Sequence, residues 1–191
     1  MWRTRVGYAG GESESPTYEA IGDHVECVEV LYDPKVVSYD ELLGVFWKSH
    51  DPSGRPYTNQ YSSVALTTTP AQLAEARESA ERYEAASGTR VATRIEPLSR
   101  FYPAEDYHQK YYLRQDPTLG REFKAMFGAD EQAFRDSAAA AKVNGYISGD
   151  GTPAQLAARI GALGLTETAT AYLQERVSDG AAAAACAIEL K

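Results

Sequence analysis

Thr4–Pro34 reads TRVGYAGGESESPTYEAIGDHVECVEVLYDP, and it sets a Gly-Gly turn, a Pro-Thr-Tyr step and a His-x-Glu step within about thirty residues. Its last third, HVECVEVLY from His24 to Tyr32, is rich in valine and alternates. That pattern predicts a strand with Val28, Val30 and Tyr32 on one face and Cys27 and Glu29 on the other. Asp33-Pro34 ends it.

Working outward, Ser38 stands three residues before Glu41, a capping box that opens a helix over YDELLGVFWKSH with an apolar stripe of Leu42, Leu43, Phe46 and Trp47. Asp51-Pro52 stops it. The segment DPSGRPYTN is turn chemistry and leads into a second strand, QYSSVALT. Thr69-Pro70-Ala71-Gln72 caps a long helix to about Ala86, closed by Gly88. Val91–Glu96 reads as a third strand, and Pro103-Ala104-Glu105-Asp106 starts a helix through YHQKYYLRQ with two acids in its first turn. Strand and helix therefore alternate as far as residue 115. Behind Asp116-Pro117 the chain is all-helical to an alanine-rich end, so the expected domains are 1–115 and 116–191.

With 191 residues, 43% hydrophobic and 24% charged, the chain has the composition of a globular protein with one sizeable core. A net charge of -8 disfavours a nucleic-acid partner, which requires a basic stripe. No apolar run is long enough to span a bilayer and no signal-peptide pattern stands at the N-terminus, so the expectation is a cytoplasmic protein with no membrane partner. Cys27 and Cys186 stand far apart and outside any C-x-x-C, and His24, His50 and His108 are scattered, so spacing points to no disulfide and no metal site.

Several side chains could carry chemistry. Glu26 lies on the predicted strand between hydrophobic neighbours, an environment that would hold a carboxyl protonated for general-acid work. A structural carboxylate on a solvated strand face fits the same position and is the commoner case. Among thirteen tyrosines, Tyr18 and Tyr61 stand at junctions between turns and elements, where a hydroxyl can enter a cleft, while the FYPAEDYHQKYY aromatics and His108 fit core packing. Cys27, mid-strand with no helix N-terminus to acidify it, reads as a small hydrophobe. Cys186, in the tail, suits either an exchanging thiol or a stray surface cysteine.

Six blocks, TRVGYAGG, PTYEAI, HVECVEVLYDP, SYDELLGVFWKSHDP, QYSS and FYPAEDYHQKYYL, follow one another in the order and spacing of the peptide methionine sulfoxide reductase A family, which the chain resembles over residues 2–114. The resemblance implies an α/β (α+β) ferredoxin-like two-layer sandwich, here missing its first strand and helix, with the helical extension appended. It implies reduction of methionine-S-sulfoxide, free or in proteins, with no bound cofactor and with thioredoxin or another dithiol as external reductant. Block by block, Glu26 takes the place of the acid that protonates the sulfoxide oxygen, and Tyr18 and Tyr61 the places of the two phenols that hold it. Cys186 would be the candidate resolving thiol.

The departures are as specific. The family's nucleophile lies in a Gly-Cys-Phe-Trp motif ahead of the Thr-Arg-Val-Gly-Tyr block, and this sequence has no such motif. The expectation is a reading frame that opens upstream of Met1, with a valine start codon read as methionine. The alternative is a catalytically inactive relative that serves as a binding or interaction module. The loop SGRPYTN replaces a longer Gln-Gly-Asn-Asp stretch, Ser62 stands where the family usually has arginine, and Asn59 is only a neighbour of the family's aspartate.

Overall fold

The computed structural model describes residues 2–54 and 56–189, with side chains as far as Gly180. The chain divides into two compact units, Val6–Glu105 and a second made of Trp2–Arg5 with the residues from Asp106 onward.

Apart from Arg3–Arg5 at the start of its first strand, the sheets belong to the first unit. Strands β1 (Arg3–Ala9), β2 (Val25–Leu31) and β5 (Phe101–Pro103) form a three-stranded sheet in the order β2-β1-β5, and β3 (Val64–Thr67) pairs with β4 (Arg94–Pro97). In the first sheet β1 and β5 run antiparallel, with Gly7 opposite Pro103 and Ala9 opposite Phe101. Glycine is required at position 7: a Cβ there would stand 2.3 Å from the Tyr102 carbonyl oxygen and 2.5 Å from the Phe101 ring. Strands β3 and β4 run parallel, from Val64 opposite Arg94 to Thr67 opposite Pro97. A parallel pair needs a crossover, and helix α2 (Pro70–Ser87) supplies it.

Local chemistry sets the helix ends. Helix α1 (Tyr39–Lys48) starts in the expected capping box, Ser38 accepting from the Glu41 amide while the Glu41 side chain reaches back. In α2 the Thr69 hydroxyl accepts from the Gln72 amide, Pro70 takes the first turn, and Gly88 ends the helix at φ 69°, a left-handed conformation that costs glycine nothing. The two helices bury Leu43, Trp47 and Ala76 together, and the Trp47 indole N–H donates to Ser79 Oγ at 2.7 Å.

The mixed α/β architecture read from the sequence is the one adopted, with shorter strands. Asn59–Tyr61 is a single 3-10 turn, so only Val64–Thr67 of the QYSSVALT stretch is strand. The alternation in β2 left the buried face open, and the structure decides it. Val25 is fully buried and Cys27 and Glu29 are half-buried, whereas Val28 is 58% exposed.

From Asp106 onward the described residues of the second unit form helices and connecting turns, with no strand among them. The helix expected over YHQKYYLRQ is interrupted: Asp106–His108 is a 3-10 turn, Lys110 adopts a left-handed φ of 54°, and α3 is only Tyr111–Gln115. Lys110 is buried there, its ammonium donating to the carbonyls of Thr4 (2.6 Å) and Arg135 (2.9 Å). Helices α4 (Leu119–Phe127), α5 (Glu131–Asp136), α6 (Ala138–Ile147), α7 (Pro153–Ala157) and α8 (Glu167–Glu189) follow. Their apolar faces close on one core that holds Leu113, Leu119, Phe123, Val143, Leu156 and Leu173. Asp116-Pro117, read as a boundary, lies inside this unit. Asp116 is buried, its Oδ1 accepts from the Thr118 and Leu119 amides, and its Oδ2 accepts from the Tyr172 hydroxyl.

Candidate active site

Between β1 and β2 the chain makes a long loop, and two carboxylates and one imidazole fix its course. Asp23 accepts from the amides of Glu12 (2.8 Å) and Ser13 (3.1 Å) and from the Ser13 hydroxyl (2.6 Å). These donors, the hydroxyl first, hold its carboxyl far below the usual carboxylate range. His24 is fully buried. Its Nδ1 accepts from the Gly11 amide at 3.2 Å and its Nε2 donates to the Ser13 carbonyl at 2.7 Å, so the neutral tautomer satisfies both nitrogens. The Tyr102 ring meets it edge-on with centroids 5.4 Å apart.

Glu105 fixes the far side of the loop. Its Oε1 accepts from the Tyr18 amide at 3.0 Å and its Oε2 from the Tyr8 hydroxyl at 2.7 Å. Tyr8 is buried on β1, so one carboxylate ties Tyr18 to the sheet. The sequence reading made Glu105 a first-turn helix acid, and the structure gives it this bridging place instead.

The third component is the Asn59–Tyr61 turn. Asn59 Nδ2 donates to the carbonyls of Asp23 (2.8 Å) and His24 (3.3 Å), which locks the turn against the start of β2. The next side chain, Gln60, donates from Nε2 to Glu26 Oε1 at 2.6 Å. Tyr61 then stands beside both Tyr18 and Glu26. Tyr18 first and Glu26 second push the Tyr61 hydroxyl above its ordinary pKa. A phenolate there would sit next to other negative charge, so Tyr61 keeps its proton at neutral pH.

Thus Tyr18, Glu26 and Tyr61, assigned from separate blocks of sequence, come together at one place. The surroundings differ from expectation in one respect. Glu26 is exposed, and Tyr18 and Tyr61 are 45% and 60% exposed, so the desolvation expected to hold a proton on Glu26 is missing from its strand face. What the structure supplies there instead is a fixed position, since Gln60 holds the Glu26 carboxyl by one oxygen. Gln60, Glu105, Asp23 and His24 were not singled out in the sequence for these contacts, and periodicity carries no signal for them. Only the adjacency of Gln60 to Tyr61 could have pointed to the first.

Cys27 is half-buried, its thiol donates to the Gly7 carbonyl at 3.5 Å, and burial, with Glu29 adding to it, pushes its pKa up to about 12. It is a thiol and not a thiolate at neutral pH, as its mid-strand place suggested. The Cys186 side chain lies outside the described residues. Among the described residues no helix is long and apolar enough to cross a membrane.

A carboxyl and two phenols near one another can share hydrogens with a strongly accepting oxygen, and comparisons with known proteins show which family has this sequence pattern. The family model described as peptide methionine sulfoxide reductase matches residues 1–142, past the stretch that the quoted blocks cover. Peptide methionine sulfoxide reductase A5 of Oryza sativa subsp. japonica is 41% identical over 152 residues, 76% of this chain and 59% of that protein. The peptide methionine sulfoxide reductase of Drosophila melanogaster is 39% identical over 172 residues, 89% of this chain and 68% of that protein. The solved structure of methionine sulfoxide reductase A of Corynebacterium diphtheriae superposes with a TM-score of 0.53 at 39% identity, over 60% of this chain and 64% of that one. The chain therefore spans about three fifths of the length of the first of these relatives, and over the matched span it belongs to the peptide methionine sulfoxide reductase family.

Proposed function

We propose that this protein works on methionine-S-sulfoxide, free or in proteins, in its thiol-dependent reduction to methionine. The observation that carries the reading is the proximity of Glu26, Tyr18 and Tyr61, one carboxyl and two phenols, all exposed, with Gln60 beside Tyr61 bonded to Glu26.

The reaction requires that group of donors. A sulfoxide oxygen departs as water, so it must collect two protons while a thiolate attacks sulfur. Two thiols together provide the two electrons and end as a disulfide. Tyr18 and Tyr61 donate hydrogen bonds to the oxygen as its negative charge grows, and Glu26 delivers a proton to it. The attacking thiolate is the part that the family keeps in its Gly-Cys-Phe-Trp motif, and Cys27, with its raised pKa, does not replace it. A dithiol of the thioredoxin kind returns the disulfide to thiols, with Cys186 the candidate resolving thiol, and no bound cofactor enters the scheme. The cytoplasm, where such dithiols are kept reduced, is the compartment that suits it.

The test is a titration of the full chain with the two epimers of N-acetylmethionine sulfoxide, followed by NMR at Tyr18 and Tyr61, with turnover under dithiothreitol read in the same samples. Binding of the S epimer that is lost in the Tyr18→Phe, Tyr61→Phe double variant supports the reading. A protein indifferent to both epimers overturns it.

A further inference from the structure

The Asn59–Tyr61 turn is fastened twice without Gln60. Asn59 reaches the Asp23 and His24 carbonyls through its side chain, and the Ser62 amide closes the turn on the Asn59 carbonyl at 2.9 Å. Gln60 is nevertheless the half-buried residue of a turn whose other two members are exposed. Its side chain makes a short hydrogen bond to Glu26 and leaves the turn's own backbone alone.

We propose that Gln60 is the positioning residue of the Glu26 carboxyl: its amide N–H holds Oε1 as an acceptor, so the acidic proton resides on Oε2. The amide nitrogen has no lone pair to offer a proton on Oε1. With Glu26 protonated, Oε1 is therefore the carbonyl oxygen, and the O–H at Oε2 is left for the substrate oxygen. One proton passes from Oε2 to that oxygen, and Gln60 is unchanged by the step. Glu26 and Tyr61 then reach the substrate in a fixed relation, because Gln60 and Tyr61 are consecutive residues of one turn. The inference rests on the sulfoxide reading for the identity of that substrate oxygen.

The experiment uses the uniformly 13C,15N-labelled full chain. As pH is varied, the side-chain amide signals of Gln60 follow the carboxyl carbon of Glu26 through the same interval, and Glu26→Leu abolishes that response. A Gln60 amide indifferent to Glu26 overturns the proposal whatever the substrate does. In the second arm, Gln60→Met weakens binding of the S epimer of N-acetylmethionine sulfoxide by about tenfold, the scale of one hydrogen bond. Gln60→Glu, which brings only acceptors and a charge, weakens it further and serves if the methionine variant does not fold. Both keep the wild-type melt, because Asn59 still holds the turn. Wild-type affinity in either folded variant overturns the proposal. If the wild-type protein itself ignores the S epimer, the sulfoxide reading falls and the positioning role with it. The amide titration still decides whether the Gln60–Glu26 contact exists.

Discussion

Each of the two units of this chain is held together internally by a different means. Among the described residues from Asp106 onward, eleven buried ones share one apolar core, and Phe123, Phe127 and Phe134 pack pairwise with centroids 6.0–6.2 Å apart. In Val6–Glu105 the cluster under α1 and α2 contains three buried residues, and the candidate site is placed instead by polar side chains gripping backbone: Asp23, His24, Asn59 and Glu105. The hydrophobic driving force is non-directional, whereas hydrogen bonds fix distance and angle. A site whose donors must converge on one oxygen atom is better built on the second kind of force, and the mass of a core on the first.

Substitutions that should cost different amounts test this contrast. Phe123→Ala removes a fully buried ring between two others and should destabilise its unit by about 3–5 kcal/mol, read from denaturant unfolding. His24→Leu keeps apolar bulk and strands the Gly11 amide and the Ser13 carbonyl, at a cost of about 2–4 kcal/mol. Its larger signature is local: the Gly11 amide should lose its protection from hydrogen exchange, and the Tyr18 and Tyr61 NMR signals should decouple. If His24→Leu left Tyr18 and Tyr61 undisturbed, the polar clamps would not be what positions the site.

The same division explains what could be read from sequence. Ser38 with Glu41, Thr69 with Gln72 and Gly88 announce helix ends because cap and partner lie within a few residues of each other. Strands β1 and β5 gave no such signal, since Gly7 is demanded by Phe101 and Tyr102, far along the chain. Alternation located β2 but not its buried side, because Val25 and Val28 stand on opposite faces and burial chose Val25. The long helix expected after Pro103 broke at Lys110, whose left-handed backbone accompanies contacts to Thr4 and Arg135 that no local window contains. At the site, Tyr18, Glu26 and Tyr61 were reached through resemblance to a family. Their supports, Gln60 and Glu105, act across the fold and left no pattern along the chain.

Lys110 sharpens the comparison within the helical unit, as a polar anchor inside an apolar one. Burial, opposed by Asp136, lowers its pKa from 10.5 to about 8. Below pH 8 the ammonium is charged in both states, and its burial opposes folding in full. As pH rises from about 8 towards 10.5, the folded state gives up the proton while the unfolded chain keeps it, so stability contributed by this group increases. The quantity to measure is the stability of wild type minus that of Lys110→Met, which cancels what every other group contributes. That difference should climb across the window, and a flat difference would mean that water reaches the ammonium.

The smallest effect concerns reactivity and not stability. With its pKa pushed from 9.0 to about 12, Cys27 at pH 8 carries on the order of a thousandfold less thiolate than an ordinary cysteine. Iodoacetamide labelling of the Cys27 peptide, followed by mass spectrometry, should therefore be slow in the native protein and fast once urea exposes the strand. Glu29→Gln removes the lesser cause of the shift and leaves burial in place, so it should quicken labelling only slightly. A large acceleration would reverse the order of the two causes, and it would make charge on β2, rather than its packing, the feature that keeps this thiol silent beside the candidate acid.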